Sequence, residues 1–152
     1  MSLRARLNDD LKTAMRAKDE RQVGTLRLIL AALKDKDIAA RPSGNTSGIS
    51  DPDIMQMMNG MIKQRRDSIV LYQQGNRPEL AAKEQGEIDI IQSYLPQQMS
   101  SEEVAAAVKA VIAEIGASSV KDMGRVMAAL KERFTGRMDF AAVSGVVKQN
   151  LT

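Results

Sequence analysis

The chain has 152 residues, enough for one ordinary domain or two small ones, and a net charge of +3, with 43% apolar and 27% charged residues. It contains no cysteine and no histidine. The first absence excludes a disulfide framework, a thiolate nucleophile and a zinc–thiolate site, and the second removes the commonest general base at neutral pH and the commonest transition-metal ligand. No run of about 18 apolar residues is present to span a membrane, and Met1–Asp10 lacks the apolar stretch of a secretory signal. With the missing cysteines, this sets the expected compartment as a reducing cytoplasm.

In chain order, Leu3, Leu7, Leu11, Ala14 and Met15 recur at helical spacing and predict a first helix. Asp19 is placed to cap a second, whose apolar face uses Val23, Leu26, Ile29, Leu30 and Leu33 and which stops before Arg41-Pro42. Residues 41–49 are rich in turn formers and predict a mobile loop. Ser50 caps a third helix with Pro52 in its first turn and a stripe of Ile54, Met58, Met61, Ile62, Ile69 and Tyr72, and Gly75-Asn76 ends it. A fourth runs from Pro78 to Leu95 with Leu80, Ile88, Ile91 and Leu95 inward. Glycines at 24, 60, 86 and 124 fall inside predicted helices, each costing about 1 kcal/mol relative to Ala. Close helix–helix approach is the simplest reason for them.

The window Tyr94-Leu-Pro-Gln-Gln-Met-Ser-Ser-Glu-Glu103 punctuates the chain. Pro96 breaks the fourth helix because it has no amide hydrogen to donate. Ser100 with Glu103 forms a capping box that starts a fifth. Three shorter helices follow. The first is lined by Val104, Val108, Val111, Ile112 and Ile115 and stopped by Gly116. The second is capped by Ser119, lined by Met123, Val126, Met127, Leu130 and Phe134, and stopped by Gly136. The third is capped by Asp139 and lined by Phe140, Val143, Val146, Val147 and Leu151. No stretch alternates with period two. The fold class is therefore all-α: an N-terminal domain of about four helices over residues 1–96 and a C-terminal three-helix domain over 97–152.

Four stretches carry a family resemblance: Thr25-Leu-Arg-Leu-Ile-Leu-Ala-Ala-Leu-Lys34; Lys63-Gln-Arg-Arg-Asp-Ser-Ile69 with Tyr72 and Gly75; Tyr94-Leu-Pro-Gln-Gln98; and Gly116 to Met127 with Gly136-Arg137. In this order and spacing the chain resembles the GatB/YqeY family, specifically its stand-alone YqeY-like members, over essentially its whole length. It departs from the pattern at Met138 and Phe140, where small residues are common, and at Gly86, where an acid is usual. The resemblance implies kinship with the tail of the B subunit of glutamine-dependent tRNA amidotransferase, a tail that helps hold tRNA. A family label of carbon–nitrogen ligase activity with glutamine as donor belongs to the larger enzyme. No Gly-x-x-x-x-Gly-Lys phosphate loop occurs here.

Candidate contacts follow. Lys121 and Arg125 lie four apart and share a helix face, and Arg137 sits beside Gly136 in the next turn. Together they could offer cations to phosphates, with Gly124 and Gly136 letting a backbone come close. The plainer reading is a solvated basic face. Lys63, Arg65 and Arg66 form the densest cationic cluster. Arg65 interrupts an apolar stripe, as Glu84 does on the neighbouring helix, so the two are expected to pair across antiparallel helices. Met55, Met57, Met58 and Met61 are either core filler or an adaptable docking surface. The paired carboxylates at Asp9-Asp10, Asp51/Asp53 and Glu102-Glu103 sit at helix starts or on polar faces, and no serine has a histidine to activate it. The expected function is a non-catalytic, cofactor-free and metal-free tRNA-binding or accessory module with a tRNA-synthesis protein as possible partner. The alternative is a protein–protein adaptor using the Met-rich helix. Charge is spread evenly: residues 1–99 carry 15 Lys and Arg against 13 Asp and Glu, and 100–152 carry 7 against 6. RNA binding would therefore depend on a local patch.

Overall fold

A computed structural model describes residues 1–151. Among them the regular structure is entirely helical: α1 Leu3–Arg16, α2 Glu20–Ala40, α3 Asp51–Gln74, α4 Pro78–Gln92, α5 Ser101–Ile115, α6 Met123–Arg133 and α7 Phe140–Leu151, with single 3₁₀ turns at Arg41–Ser43 and Val120–Asp122. The chain divides into two compact units, one spanning Met1–Leu95 and the other beginning at Pro96.

In the first unit the helices form because their apolar residues recur on one face and their starts are capped. The side chains of Ser2, Asp19 and Ser50 accept from the amides of Ala5, Gln22 and Asp53. Leu7, Leu26, Ile29, Ile54, Met58, Ile88 and Ile91 are wholly buried and make one core. Met57 and Met61 join it at 7% and 8% exposure, so the Met-rich face of α3 is spent on packing. Met15, expected inward, is 50% exposed, and Ala14 takes the buried position beside it. Helices α3 and α4 form an antiparallel hairpin through a tight connection in which the Arg77 amide donates to the Tyr72 carbonyl at 2.7 Å. Helix α4 ends at Gln92 and not at Leu95. Its last turn tightens: the amides of Tyr94 and Leu95 donate three residues back, to Ile91 and Gln92, just before Pro96.

The 41–49 loop is anchored at its far end, contrary to a freely mobile loop. Arg4 on α1 donates to both carboxylate oxygens of Asp37 on α2, at 2.6 and 3.1 Å, and to the Ile49 carbonyl at 3.2 Å. Asp37 in turn accepts from the Ile49 amide at 2.9 Å. Gly48, at φ 99°, passes directly beneath this guanidinium, and a Cβ there would lie 2.5 Å from Arg4 Nη2. Glycine is required at that point both for its dihedral and for space.

Helical glycines do not bring helices together. A Cβ built at Gly24, Gly60, Gly124 or Gly145 would meet nothing within 4 Å. Only Gly86 has a neighbour, the Arg21 side chain at 3.5 Å.

The second unit buries Val108, Val111, Val126, Leu130, Met138, Phe140, Val143, Val147 and Leu151. The bulky Met138 and Phe140 that depart from the family pattern are absorbed into this core, at 3% and 9% exposure. The capping box of α5 is complete, with Ser100 Oγ accepting from the Glu103 amide and Glu103 from the Ser100 amide, both at 3.1 Å. Gly116, at φ 74°, closes α5. Ser119 does not cap α6 through its side chain. It precedes a 3₁₀ turn, and Asp122 serves that corner by accepting from the Ser118 amide at 3.0 Å.

Candidate nucleic-acid interface

The basic candidates of the second unit occupy the two ends of α6. Lys121 lies in the 3₁₀ turn that leads into the helix, while Gly124 and Arg125 lie in the first helical turn, and all three are exposed. Lys121 makes no ion pair among the described residues. Arg125 Nη2 donates to Asp122 Oδ1 at 2.7 Å in an exposed i,i+3 pair. Asp122 thus holds two donors, and its carboxyl is lowered from the ordinary range first by the Ser118 amide and then by the Arg125 guanidinium. An exposed pair of this kind is worth little in water and exchanges readily for a phosphate oxygen. Gly124 leaves the surface between the two cations flat, with open space where a Cβ would stand.

Gly136 and Arg137 have different work. Gly136 is buried at φ 74°, and its carbonyl accepts from Gln98 Nε2 at 2.6 Å. Arg137 Nε donates to the Gln97 carbonyl at 3.1 Å, and its own carbonyl accepts from the Met99 amide at 2.9 Å. The turn after α6 is therefore laced to Gln97–Met99, and Ser100 follows directly as the cap of α5. Arg137 also helps lower Glu103, whose carboxyl is held down chiefly by the Ser100 amide. Eleven residues of α6 at a rise of about 1.5 Å each separate the two ends by about 16 Å. Lys121, Gly124 and Arg125 therefore stand together at an open, cationic helix start, while Gly136 and Arg137 lie at the other end of the helix in a backbone clasp. Arg133 in the last turn is taken by Glu114 in a two-pronged pair at 2.7 and 2.8 Å.

In the first unit Arg65 sits 13% exposed between two carboxylates of α4. Its hydrogen bond goes to Glu87 Oε2 at 2.8 Å, and Glu84 stands off at 4.0 Å. The expected Arg65–Glu84 partnership is thus chiefly an Arg65–Glu87 one, because Glu87 lies about one helical turn along from Glu84 on the same face. Arg65 Nη1 also donates to the Met61 carbonyl at 3.1 Å. Sequence reasoning missed Tyr94: its buried phenol donates to Asp10 Oδ2 at 2.5 Å, and the Arg6 guanidinium lies 5.0 Å over its ring. Burial, then the Asp10 carboxylate, pushes that phenol far above its ordinary pKa. No local spacing signals a contact across 84 residues.

Among the described residues no helix is long and apolar enough to cross a membrane, and no three acidic side chains converge where they could hold a metal ion. Fold and surface define a helical protein of two units, one of which presents an open cationic helix start. The chain belongs to the YqeY-like protein family, whose model matches residues 4–151. It is 41% identical over 98 residues to Altered inheritance of mitochondria protein 41, mitochondrial, of Saccharomyces cerevisiae, covering 64% of this chain and 51% of that protein. It is 34% identical over 117 residues to the protein of the same name from Lachancea thermotolerans, covering 76% and 60%. The chain spans about half the length of the curated relatives it matches. These relatives are named as mitochondrial proteins, which overturns the cytoplasmic expectation drawn from the missing cysteines. A chain without cysteine can form no disulfide in any compartment, so its absence does not distinguish one compartment from another.

Proposed function

We propose that this protein is a non-catalytic RNA-binding or accessory module, related to the tail of tRNA-dependent amidotransferase, that contacts folded tRNA through the start of α6. The supporting observation is the exposed Lys121–Gly124–Arg125 surface: one cation without an ion pair among the described residues, one exposed and paired only with the half-buried Asp122, and open space between them. Cations on a helix start also add to the positive end of the helix dipole, which favours a phosphate there. With only two tyrosines and two phenylalanines in the chain, all four buried or half-buried, base stacking is poorly served and shape and phosphate contact remain. The role suggested by the yeast relatives' name, inheritance of mitochondria, would on this reading act through an RNA-handling step.

The test is an electrophoretic shift with total tRNA, comparing the full chain with Lys121→Glu/Arg125→Glu and with a control, Lys109→Glu/Lys148→Glu, that makes the same change in net charge. Loss of the complex in the first variant alone, with unchanged helicity, is expected. Equal loss in both reduces the effect to bulk charge.

A further inference from the structure

The first unit carries a groove of about 590 Å³ between α2 and α4 that the RNA reading does not use. Arg21, Gly24, Thr25 and Leu28 line it from one face of α2, and Lys83 and Glu87 from one face of α4. Three observations mark it as built for an occupant. Gly24 stands in a helix interior, against helix propensity, with nothing within 4 Å of where its Cβ would be. The fold therefore gains no packing from it, and the vacancy faces the groove. Beside it Thr25, 2% exposed, contributes a small, buried side chain to the lining. Leu28 is 46% exposed at the other end, an apolar side chain with no cover.

The charge of the lining selects the occupant. Glu87 is already neutralised by Arg65 at 2.8 Å. Arg21 and Lys83 make no ion pair among the described residues, and Glu20 is the one remaining carboxylate at the rim. We propose that this groove docks an acidic amphipathic helix of a partner protein. One apolar side chain of that helix covers Leu28 and its backbone closes on Gly24, while carboxylates at i and i+4 meet Arg21 and Lys83. Helix-in-groove recognition needs this combination of a small floor, an apolar anchor and flanking charges. The site is distinct from the Met-rich face of α3, which is core.

The test uses the full chain, isotope-labelled, with a synthetic 20-residue peptide of Glu-Leu-Ala-Glu pattern and a twin carrying Lys for Glu. The acidic peptide should shift amides of residues 20–28 and 83–87, and the Lys twin should not. Gly24→Leu fills the floor while favouring the helix, and Arg21→Glu/Lys83→Glu reverses the flanking charge. Each should weaken the acidic peptide by at least about tenfold, and the charge-reversed variant should gain the Lys peptide. Gly24→Ala serves as the fold control and should raise the melting temperature, since no neighbour opposes it. The proposal is overturned if the acidic peptide leaves these amides unmoved, if Gly24→Leu binds it undiminished, if both peptides bind alike, if Gly24→Ala destabilises, or if tRNA shifts these same amides in place of the peptide. The tRNA shift assay on α6 variants is independent of every one of these results.

Discussion

Arg65 shows how a charge in an apolar stripe is made tolerable. It is 13% exposed, hydrogen-bonded to Glu87 and to the Met61 carbonyl, with Glu84 in reserve at 4.0 Å. Arg65→Leu leaves two carboxylates facing a largely desolvated gap and should cost about 3 kcal/mol in a denaturant titration. Arg65→Leu with Glu87→Leu should be far milder, and strictly additive losses would rule out the pairing. Asp37 makes a prediction against pH. Hydrogen bonds from Arg4 and from the Ile49 amide hold its carboxyl below the ordinary value near 3.9. A carboxyl with a depressed folded pKa binds fewer protons folded than unfolded, so its contribution is complete above its unfolded pKa and fades as pH falls through the folded one. Asp37→Asn should therefore lower the melting temperature at neutral pH and flatten its decline below about pH 4. A decline as steep as in the parent chain would place the acid sensitivity elsewhere. Neither Glu87 nor the Arg4–Asp37 clasp was legible in the sequence. Residue spacing gives the face of a helix, but which of two carboxylates one turn apart meets a given guanidinium depends on interhelical register.

At the scale of elements, helix starts were the most readable feature, because a cap is a local hydrogen bond. Asp19, Ser50 and Ser100 each accept from the amide three residues on, as their spacing implied. Ser119 differs: it leads into a 3₁₀ turn in which its backbone carbonyl, and not its hydroxyl, accepts from the Asp122 amide. Replacing Ser100 with Ala should cost about 1 kcal/mol by thermal unfolding. Ser119→Ala should be close to neutral, and a large loss there would contradict the assignment. Loops read poorly for a related reason. Turn formers at 41–49 announce a change of direction, yet the order of that loop comes from Arg4, which lies more than 30 residues earlier. Gly48→Ala should destabilise by driving a methyl into the Arg4 guanidinium at an unfavourable φ. Gly44→Ala has the same sign of φ but open space around it, and should do less.

For the whole molecule, the sequence made the helical class and the family plain, since periodicity and four ordered stretches run through the entire chain. The candidate site was legible only in part. Lys121, Gly124 and Arg125 occupy an open helix start, whereas Gly136 and Arg137 are bound up in fastening Gln97–Met99. A Gly-Arg pair after a helix looks alike in both roles until the partner segment is seen. The central claim is that the start of α6 binds RNA phosphates, and salt dependence tests it most directly. Two phosphate contacts should weaken tRNA binding about tenfold between roughly 50 and 200 mM salt. In Lys121→Glu/Arg125→Glu the remaining binding should lose that slope. A full-length chain that binds tRNA with the same slope in parent and variant, or that does not bind it at the lower salt, would contradict the account.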